Sequence, residues 1–81
     1  NVEMDRTGGT RIVVANRNVP NMVNQIASVL ANEGVNILNM LNKNRNEIAY
    51  NIIDIDKQEL SPSVEQNIRS IDGVFMARII S

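Results

Sequence analysis

The segment VANRNVPNMVNQIASVLANEGVN, residues 14–36, decides the fold of this chain. It begins at the end of a β-branched run, residues 11–15, which is typical of a short strand. A polar turn is predicted next, at residues 16–19. Asparagines lie on both sides of the helical part that follows, so the segment is also where a ligand site would be built.

The middle of the segment has the spacing of an amphipathic helix. Pro20 is predicted in its first turn, because proline loses no backbone hydrogen bond there, and Asn18 or Val19 is expected at the boundary. Apolar residues recur three and four positions apart and predict one buried face: Met22, Val23, Ile26, Ala27 and Leu30. Gly34 is predicted to end the helix in a left-handed conformation.

Strands and helices continue to alternate after this segment. Further strands are predicted at residues 36–42, 47–56 and 74–80, with a polar hairpin turn at residues 43–46. Ser61 and Pro62 predict the start of a second helix, as N-cap and first helical residue. Asp72 and Gly73 are predicted to end that helix.

The order β-α-β-β-α-β predicts an α+β fold, the ferredoxin-like sandwich. Four antiparallel strands in the order 4-1-3-2 would have two helices on one face, which leaves the strand at residues 36–42 at an edge. Pairs such as Ile37-Leu38 and Ile52-Ile53 place apolar groups on both faces. We therefore expect another subunit or domain to cover the edge or part of the second face.

The composition excludes several classes of function. The chain has 81 residues and a net charge of −1, which predicts one domain without a general field for nucleic acid or membranes. It contains no histidine and no cysteine, so imidazole and thiolate catalysis and copper-chaperone chemistry are excluded. A cytoplasmic location is expected, since no signal peptide or membrane-spanning run is visible.

Other chemistries have weak support in the sequence. An RNA-recognition module would need exposed aromatic residues, and only Tyr50 and Phe75 are present. Asp54, Asp56 and Glu59 form an acidic cluster, but no third oxygen-rich segment completes a metal site. We interpret the cluster as a solvated strand end and find no catalytic constellation.

Asparagines around the first helix suit a small zwitterion better than catalysis. Asn16 and Asn18 precede the helix, and Asn36 follows it. Free backbone N–H groups near Asn21 and Met22 favour an anionic group at the helix N-terminus. Asparagine amides supply acceptors for an ammonium group and donors for a carboxylate without titrating.

RIVVANRNVPNMVNQIASVLANEGVNILNM, followed by NKNRNEIAYNIIDID, resembles an ACT domain. More narrowly, it resembles the C-terminal regulatory domain of D-3-phosphoglycerate dehydrogenase. The N-x-P turn, the G-V-N-I after the helix and the A-Y-x-x-I-D strand support this resemblance, which spans residues 10–80. Residues 10–81 are accordingly assigned to the ACT domain, and residues 1–9 to a linker from a preceding catalytic domain.

The resemblance implies a regulatory function rather than catalysis by this chain. The parent enzyme would be an oxidoreductase that uses NAD in L-serine biosynthesis, and this chain itself would bind no cofactor. L-Serine would bind as feedback inhibitor where two ACT domains form a homodimer through the edge strand at residues 36–42. The resemblance places the serine site at Asn16, Asn18 and Asn36, with Asn36 contributed across the interface.

Two positions depart from the family, and two other interpretations stay open. Asn16 replaces a histidine of the enteric branch, and Asn21 replaces a common glycine. Gly8 and Gly9 match a glycine pair that serves as a hinge in the family. The chain could instead be a dimerisation module that has lost its ligand, or the ACT domain of another enzyme such as L-serine dehydratase.

Overall fold

The elements follow one another in the predicted order in a computed structural model, which describes residues 9–57 and 60–80. They are β1 (Thr10–Arg17), α1 (Met22–Asn32), β2 (Ile37–Arg45), β3 (Ile48–Ile55), α2 (Pro62–Arg69) and β4 (Val74–Ile80). The antiparallel sheet has the order β2-β3-β1-β4, which confirms the ferredoxin-like fold and the predicted 4-1-3-2 order. β2 and β4 are therefore its edges.

The core lies between the helices and one face of the sheet. Ile12, Val14, Ile53 and Ile55 alternate inward from the two central strands and are fully buried. The helices contribute Ile26, Leu30, Val64 and Ile68, which are also fully buried. Each such side chain stabilises the fold by about 1.5–3 kcal/mol relative to its exposed state.

The opposite face of the sheet, called the open face below, is covered by no part of the chain that the structure describes. Cross-strand partners lie on the same face of a sheet, so the pairs Val13–Ile52 and Ile52–Leu41 form one apolar row across it. Tyr50, in the neighbouring row, is 42% exposed. Apolar groups do lie on both faces, as the sequence predicts. Their covering by another subunit stays a prediction.

The boundary between β1 and α1 differs from the prediction. Asn16 and Arg17 belong to β1, where they pair with Ala49 and Ile48, because the ladder with β3 is longer than local turn propensity suggests. The prediction of Pro20 inside the helix was wrong. Asn21 is the N-cap instead, with a left-handed φ of 72°.

The hairpin between β2 and β3 is also tighter than predicted. Residues 43–45, predicted as turn, pair with residues 48–50 and extend β2. The turn is Asn46–Glu47, and Asn46 adopts a φ of 59°. Two-residue turns with positive φ match the twist of the flanking strands, which explains why Asn46 suits this position. The flanking strands begin at Ile37 and end at Ile55, each one residue inside the prediction.

The helix ends are partly as predicted. Ser61 caps α2 by accepting from the backbone N–H of Ser63 at 3.3 Å, with Pro62 first in the helix, which confirms the predicted start. α2 ends at Arg69, before the predicted Asp72-Gly73. Gly34 has a φ of 71° just after the end of α1, as predicted. Val23, predicted on the buried face of α1, is 41% exposed. Neither helix is long and apolar enough to cross a membrane.

Candidate functional site

The loop from β1 to α1 is held by backbone hydrogen bonds to two other parts of the fold. Arg17 donates its N–H to the carbonyl of Gly73 at 2.7 Å, just before β4. Asn18 donates its N–H to the carbonyl of Glu47 at 2.7 Å, in the β2–β3 turn. The loop is therefore clamped between the two connections at this end of the sheet.

The N-terminus of α1 is not capped by a side chain. Asn21 makes no side-chain hydrogen bond to the helix backbone, and its Oδ1 accepts instead from Nδ2 of Asn24 at 3.0 Å. No acidic residue lies in the first turn of α1. The first backbone N–H groups of a helix have no partner within it, and the dipole adds positive potential, so this end favours an anion.

Asn21 stands where a common glycine of the resembled family would, and its geometry explains this. Its φ of 72° is a conformation that glycine adopts freely and asparagine tolerates better than most residues. The loop therefore keeps the backbone path that a glycine would allow. Met22, also predicted at the site, is 3% exposed, so only its backbone N–H is suited to a ligand.

Asn16 belongs to a buried chain of amides. Its Nδ2 donates to the carbonyl of Arg17 at 2.8 Å, and its Oδ1 accepts from Nδ2 of Asn51 at 2.7 Å. Asn51 accepts in turn from Asn42 on the edge strand. Asn16 is 1% exposed and Asn51 is fully buried. In this conformation the amide of Asn16 orders the loop rather than facing solvent.

Sequence reasoning missed Asn42 and Asn51. The available signal was strand periodicity, because Asn51 lies between Ala49 and Ile53 at positions that point to the core. An asparagine at such a position needs buried partners. Among the described residues, no buried side-chain nitrogen or oxygen lacks a hydrogen-bond partner.

Asn18 is an exposed asparagine of the loop. Its Nδ2 donates to the carbonyl of Asn46 at 3.4 Å, a long and weak hydrogen bond. Its side chain can therefore exchange this partner for a ligand at little cost. A cavity of about 330 Å³, lined by Arg45, Asn46, Glu47, Ile48 and Tyr50, lies beside the same hairpin turn.

Asn36 lies at the opposite end of the sheet. Its backbone N–H and its Nδ2 donate to the two carboxylate oxygens of Asp56, at 3.1 and 3.0 Å. These hydrogen bonds lower the pKa of Asp56, the side-chain one most. α1 separates Asn36 from Asn18 by about 16 Å along its axis, at 1.5 Å per residue. One chain alone does not bring the three predicted asparagines together.

The interpretation of the acidic cluster as a solvated strand end is wrong for Asp54. Asp54 is 5% exposed and forms an ion pair with Arg11 at 2.8 Å. The hydrogen bond that Arg11 donates to Asp54 raises the pKa of Arg11. Asp56 is exposed beside Asn36, and Glu59 lies outside the described residues. Within the described ranges, no group of three or more acidic side chains could hold a metal ion.

The predicted hinge is described only in part. Gly9 lies so close to β3 that a Cβ built on it would be 1.9 Å from the carbonyl oxygen of Ile55. Close backbone approach therefore explains a glycine at position 9. Gly8 lies outside the described residues, and the hinge stays a prediction.

Comparison with solved structures identifies the architecture. The ACT domain of the GTP pyrophosphokinase of Chlorobium tepidum superimposes with a TM-score of 0.73 at 19% identity, over 88% of this chain and 95% of that one. The chain has the ACT-domain fold. A solution structure of the same domain gives a TM-score of 0.66 at 20% identity, over 89% of this chain and 84% of that one.

A second protein shares this architecture at lower identity. The C-terminal domain of the MgtC protein from Mycobacterium tuberculosis gives a TM-score of 0.70 at 8% identity, over 94% of this chain and 90% of that one. No family model matches the sequence, and no curated protein does. Identities this low establish the fold, so the function must be argued from the site.

Proposed function

We propose that this ACT-fold chain is an amino-acid-binding regulatory module with L-serine as the favoured ligand. The parent enzyme would be an NAD-dependent D-3-phosphoglycerate dehydrogenase, as the sequence resemblance implies. The observation that supports binding most is the N-terminus of α1, which has no side-chain cap and no acidic residue in its first turn, beside the exposed amide of Asn18.

The chemistry of this end of α1 matches an amino acid. The ligand carboxylate would accept from the backbone N–H groups of Met22 and Val23, where the helix dipole stabilises it. The amide oxygen of Asn18 would accept from the ammonium group or the serine hydroxyl. No charged side chain is required, which suits a ligand of zero net charge.

Pairing of β2 with β2 of a second copy would complete the site. The midpoint of Ile37–Arg45 is Leu41, so antiparallel pairing of the whole strand about a two-fold axis at Leu41 sets residue 36 opposite residue 46. Asn36 of the second copy would then lie beside Asn46, the residue that Asn18 contacts. This register sets no like charges opposite one another, since Lys43 faces Asn39 and Arg45 faces Ile37.

Regulation would follow from locking this interface. A serine held by both copies restrains their relative motion, and coupling of about 1–3 kcal/mol would change affinity for another ligand 5–150-fold. Serine has about seven heavy atoms, so even 1.5 kcal/mol per atom limits binding to about −10 kcal/mol. We expect micromolar or weaker affinity.

Isothermal titration of the dimer with L-serine tests the proposal. We expect saturable heat with L-serine and less with D-serine, and loss of that heat in Asn18→Ala. The matched control is Asn67→Ala, an exposed asparagine on α2 outside the loop. If a folded dimer gives no heat at millimolar serine, the proposal that this chain binds L-serine is refuted.

A ligand-free dimerisation module is the second candidate. It is favoured by Asn16, whose two polar side-chain atoms already have partners within the chain. In that case the melting temperature of the dimer would not respond to any common amino acid. The sequence before residue 1 tests the parent enzyme, because a dehydrogenase would have a G-x-G-x-x-G nucleotide-binding motif there and an L-serine dehydratase would not.

A further inference from the structure

The charges of the sheet are segregated onto the open face. Five of the chain's eight lysines and arginines lie in strands, and the ladder places all five on this face: Arg11, Arg17, Lys43, Arg45 and Arg78. The only acidic residue of the four strands is Asp54, on the same face. Among the strand residues, five cations against one carboxylate give this face a formal charge of +4, although the whole chain has −1. One further carboxylate, Glu47 of the hairpin turn, lines the cavity beside Ile48.

Most of these cations are available to a partner. The ion pair with Asp54 at 2.8 Å neutralises Arg11. Within the described ranges, no other ion pair involves a cation of the open face. Arg17, Lys43, Arg45 and Arg78 therefore define an uncompensated positive field.

An aliphatic strip lies between these cations. Val13, Leu41 and Ile52 are half-buried in the middle row, while Ile48 and Ile80 are 38% and 39% exposed. Exposed contiguous apolar surface rimmed by polar residues marks interaction sites. Ile48 lies in one row between Arg17 and Arg45, and it lines the cavity of about 330 Å³ beside the hairpin turn.

Charge and surface chemistry decide between the possible occupants. Stacking the open faces of two copies would oppose two fields of +4, which electrostatic complementarity disfavours. Single-stranded nucleic acid would need several stacking aromatics, whereas Tyr50 is the only aromatic residue in β1, β2 and β3. An aliphatic centre with a cationic rim is complementary to a protein surface that has an aliphatic centre and an acidic rim.

We propose that the open face is a docking surface for an acidic, amphipathic protein segment. An apolar side chain of the partner fills the cavity beside Ile48, and carboxylates on either side of it pair with Arg17 and Arg45. The docking contacts are side chains of the open face, whereas the proposed dimer contacts are backbone groups of β2 and the proposed amino-acid contacts lie at the N-terminus of α1; these surfaces adjoin at Asn46. The docking therefore does not depend on amino-acid binding.

Fluorescence anisotropy with a defined peptide tests this docking. The probe is a fluorescein-labelled helical peptide of about 14 residues, roughly four turns, with leucine on one face and glutamate along its flanks. We expect saturable binding that weakens about tenfold between low and physiological salt, because the contacts are exposed charges. Lys43→Glu should weaken binding about tenfold further.

The matched control is Lys57→Glu, which changes the net charge identically. Lys57 donates to the carbonyl of Glu33 at the end of α1, away from the open face. Equal losses in Lys43→Glu and Lys57→Glu would overturn the proposal, as would no binding at about 1 mM peptide, which corresponds to about −4 kcal/mol. Binding of an oligouridylate instead would assign the face to nucleic acid. Self-association abolished by Arg78→Glu would assign it to a second copy.

Discussion

Replacing Asn51 by leucine should destabilise the fold, although leucine is apolar and of similar size. Asn51 is fully buried and donates to Oδ1 of Asn16 at 2.7 Å. Leucine cannot donate, so Oδ1 of Asn16 would remain buried without its donor. Asn42 would lose its acceptor too, but Asn42 is exposed and can turn to water.

The expected loss of stability comes mainly from Oδ1 of Asn16, which would stay buried without a hydrogen-bond donor. A buried polar group that loses its only partner costs about 1–3 kcal/mol, while Asn42 adds little because it is hydrated. We therefore expect Asn51→Leu to lower the free energy of unfolding by about 2 kcal/mol. A domain of this size loses about 4–8 °C in Tm per kcal/mol, so Tm should fall by about 8–16 °C.

Urea denaturation followed by circular dichroism measures the effect, at one fixed protein concentration because dimerisation would add stability. The double variant Asn16→Leu/Asn51→Leu should be no less stable than Asn51→Leu, because removing both partners leaves no orphan between them. Asn42→Leu leaves Oδ1 of the buried Asn51 without its donor, so it should also lower the free energy of unfolding, by about 1–3 kcal/mol. Additive losses in the double variant would refute this account of the network.

Three further changes test other parts of the structure. Asn36→Ala removes the side-chain hydrogen bond that lowers the pKa of Asp56 most and keeps the backbone one, so that pKa should rise part of the way toward its usual value. A carboxyl group whose pKa is lower in the folded state stabilises the fold at pH values above its unfolded-state pKa. That stabilisation is lost as the pH falls through the folded-state pKa. The variant should therefore lose less stability than wild type below about pH 4; an unchanged NMR titration of Asp56 would contradict this. Gly34→Ala should cost about 1 kcal/mol from its φ of 71° alone, since no atom lies within 4 Å of the added Cβ; an unchanged Tm would refute the strain. If the proposed β2–β2 dimer forms, Leu41→Lys should convert it to monomer in sedimentation, because two lysines would meet on the two-fold axis, whereas Leu41→Thr should leave it paired.

Element order and topology were accessible from sequence because they depend on periodicity. The β-branched runs and the helical spacing of Ile26 and Leu30 are properties of short windows. The Ser61-Pro62 signal likewise fixed the start of α2 to the residue. The boundaries were less accessible, because Arg17 and Lys43 are strand residues only through their cross-strand partners Ile48 and Tyr50.

The candidate site was accessible only in part, for the same reason. Asn18 and Asn21 lie in a contiguous loop, so their position at the helix N-terminus follows from chain order. The link from Asn16 to Asn51 joins positions 35 residues apart, and no local pattern predicts it. The charge of the open face was also not predictable from sequence. Its five cations are dispersed among three strands, and the net charge of the whole chain is −1.

The chain of amides from Asn16 to Asn51 gives the β1–α1 loop an intrinsic spectroscopic probe. The side-chain amide protons of Asn16 and Asn51 are shielded from solvent, so they should exchange slowly and give resolved NMR cross-peaks. The Asn16 amide is bonded to the Arg17 carbonyl, one residue before Asn18. Its chemical shift therefore reports the position of that carbonyl, and movement of the loop can be followed without attaching any label.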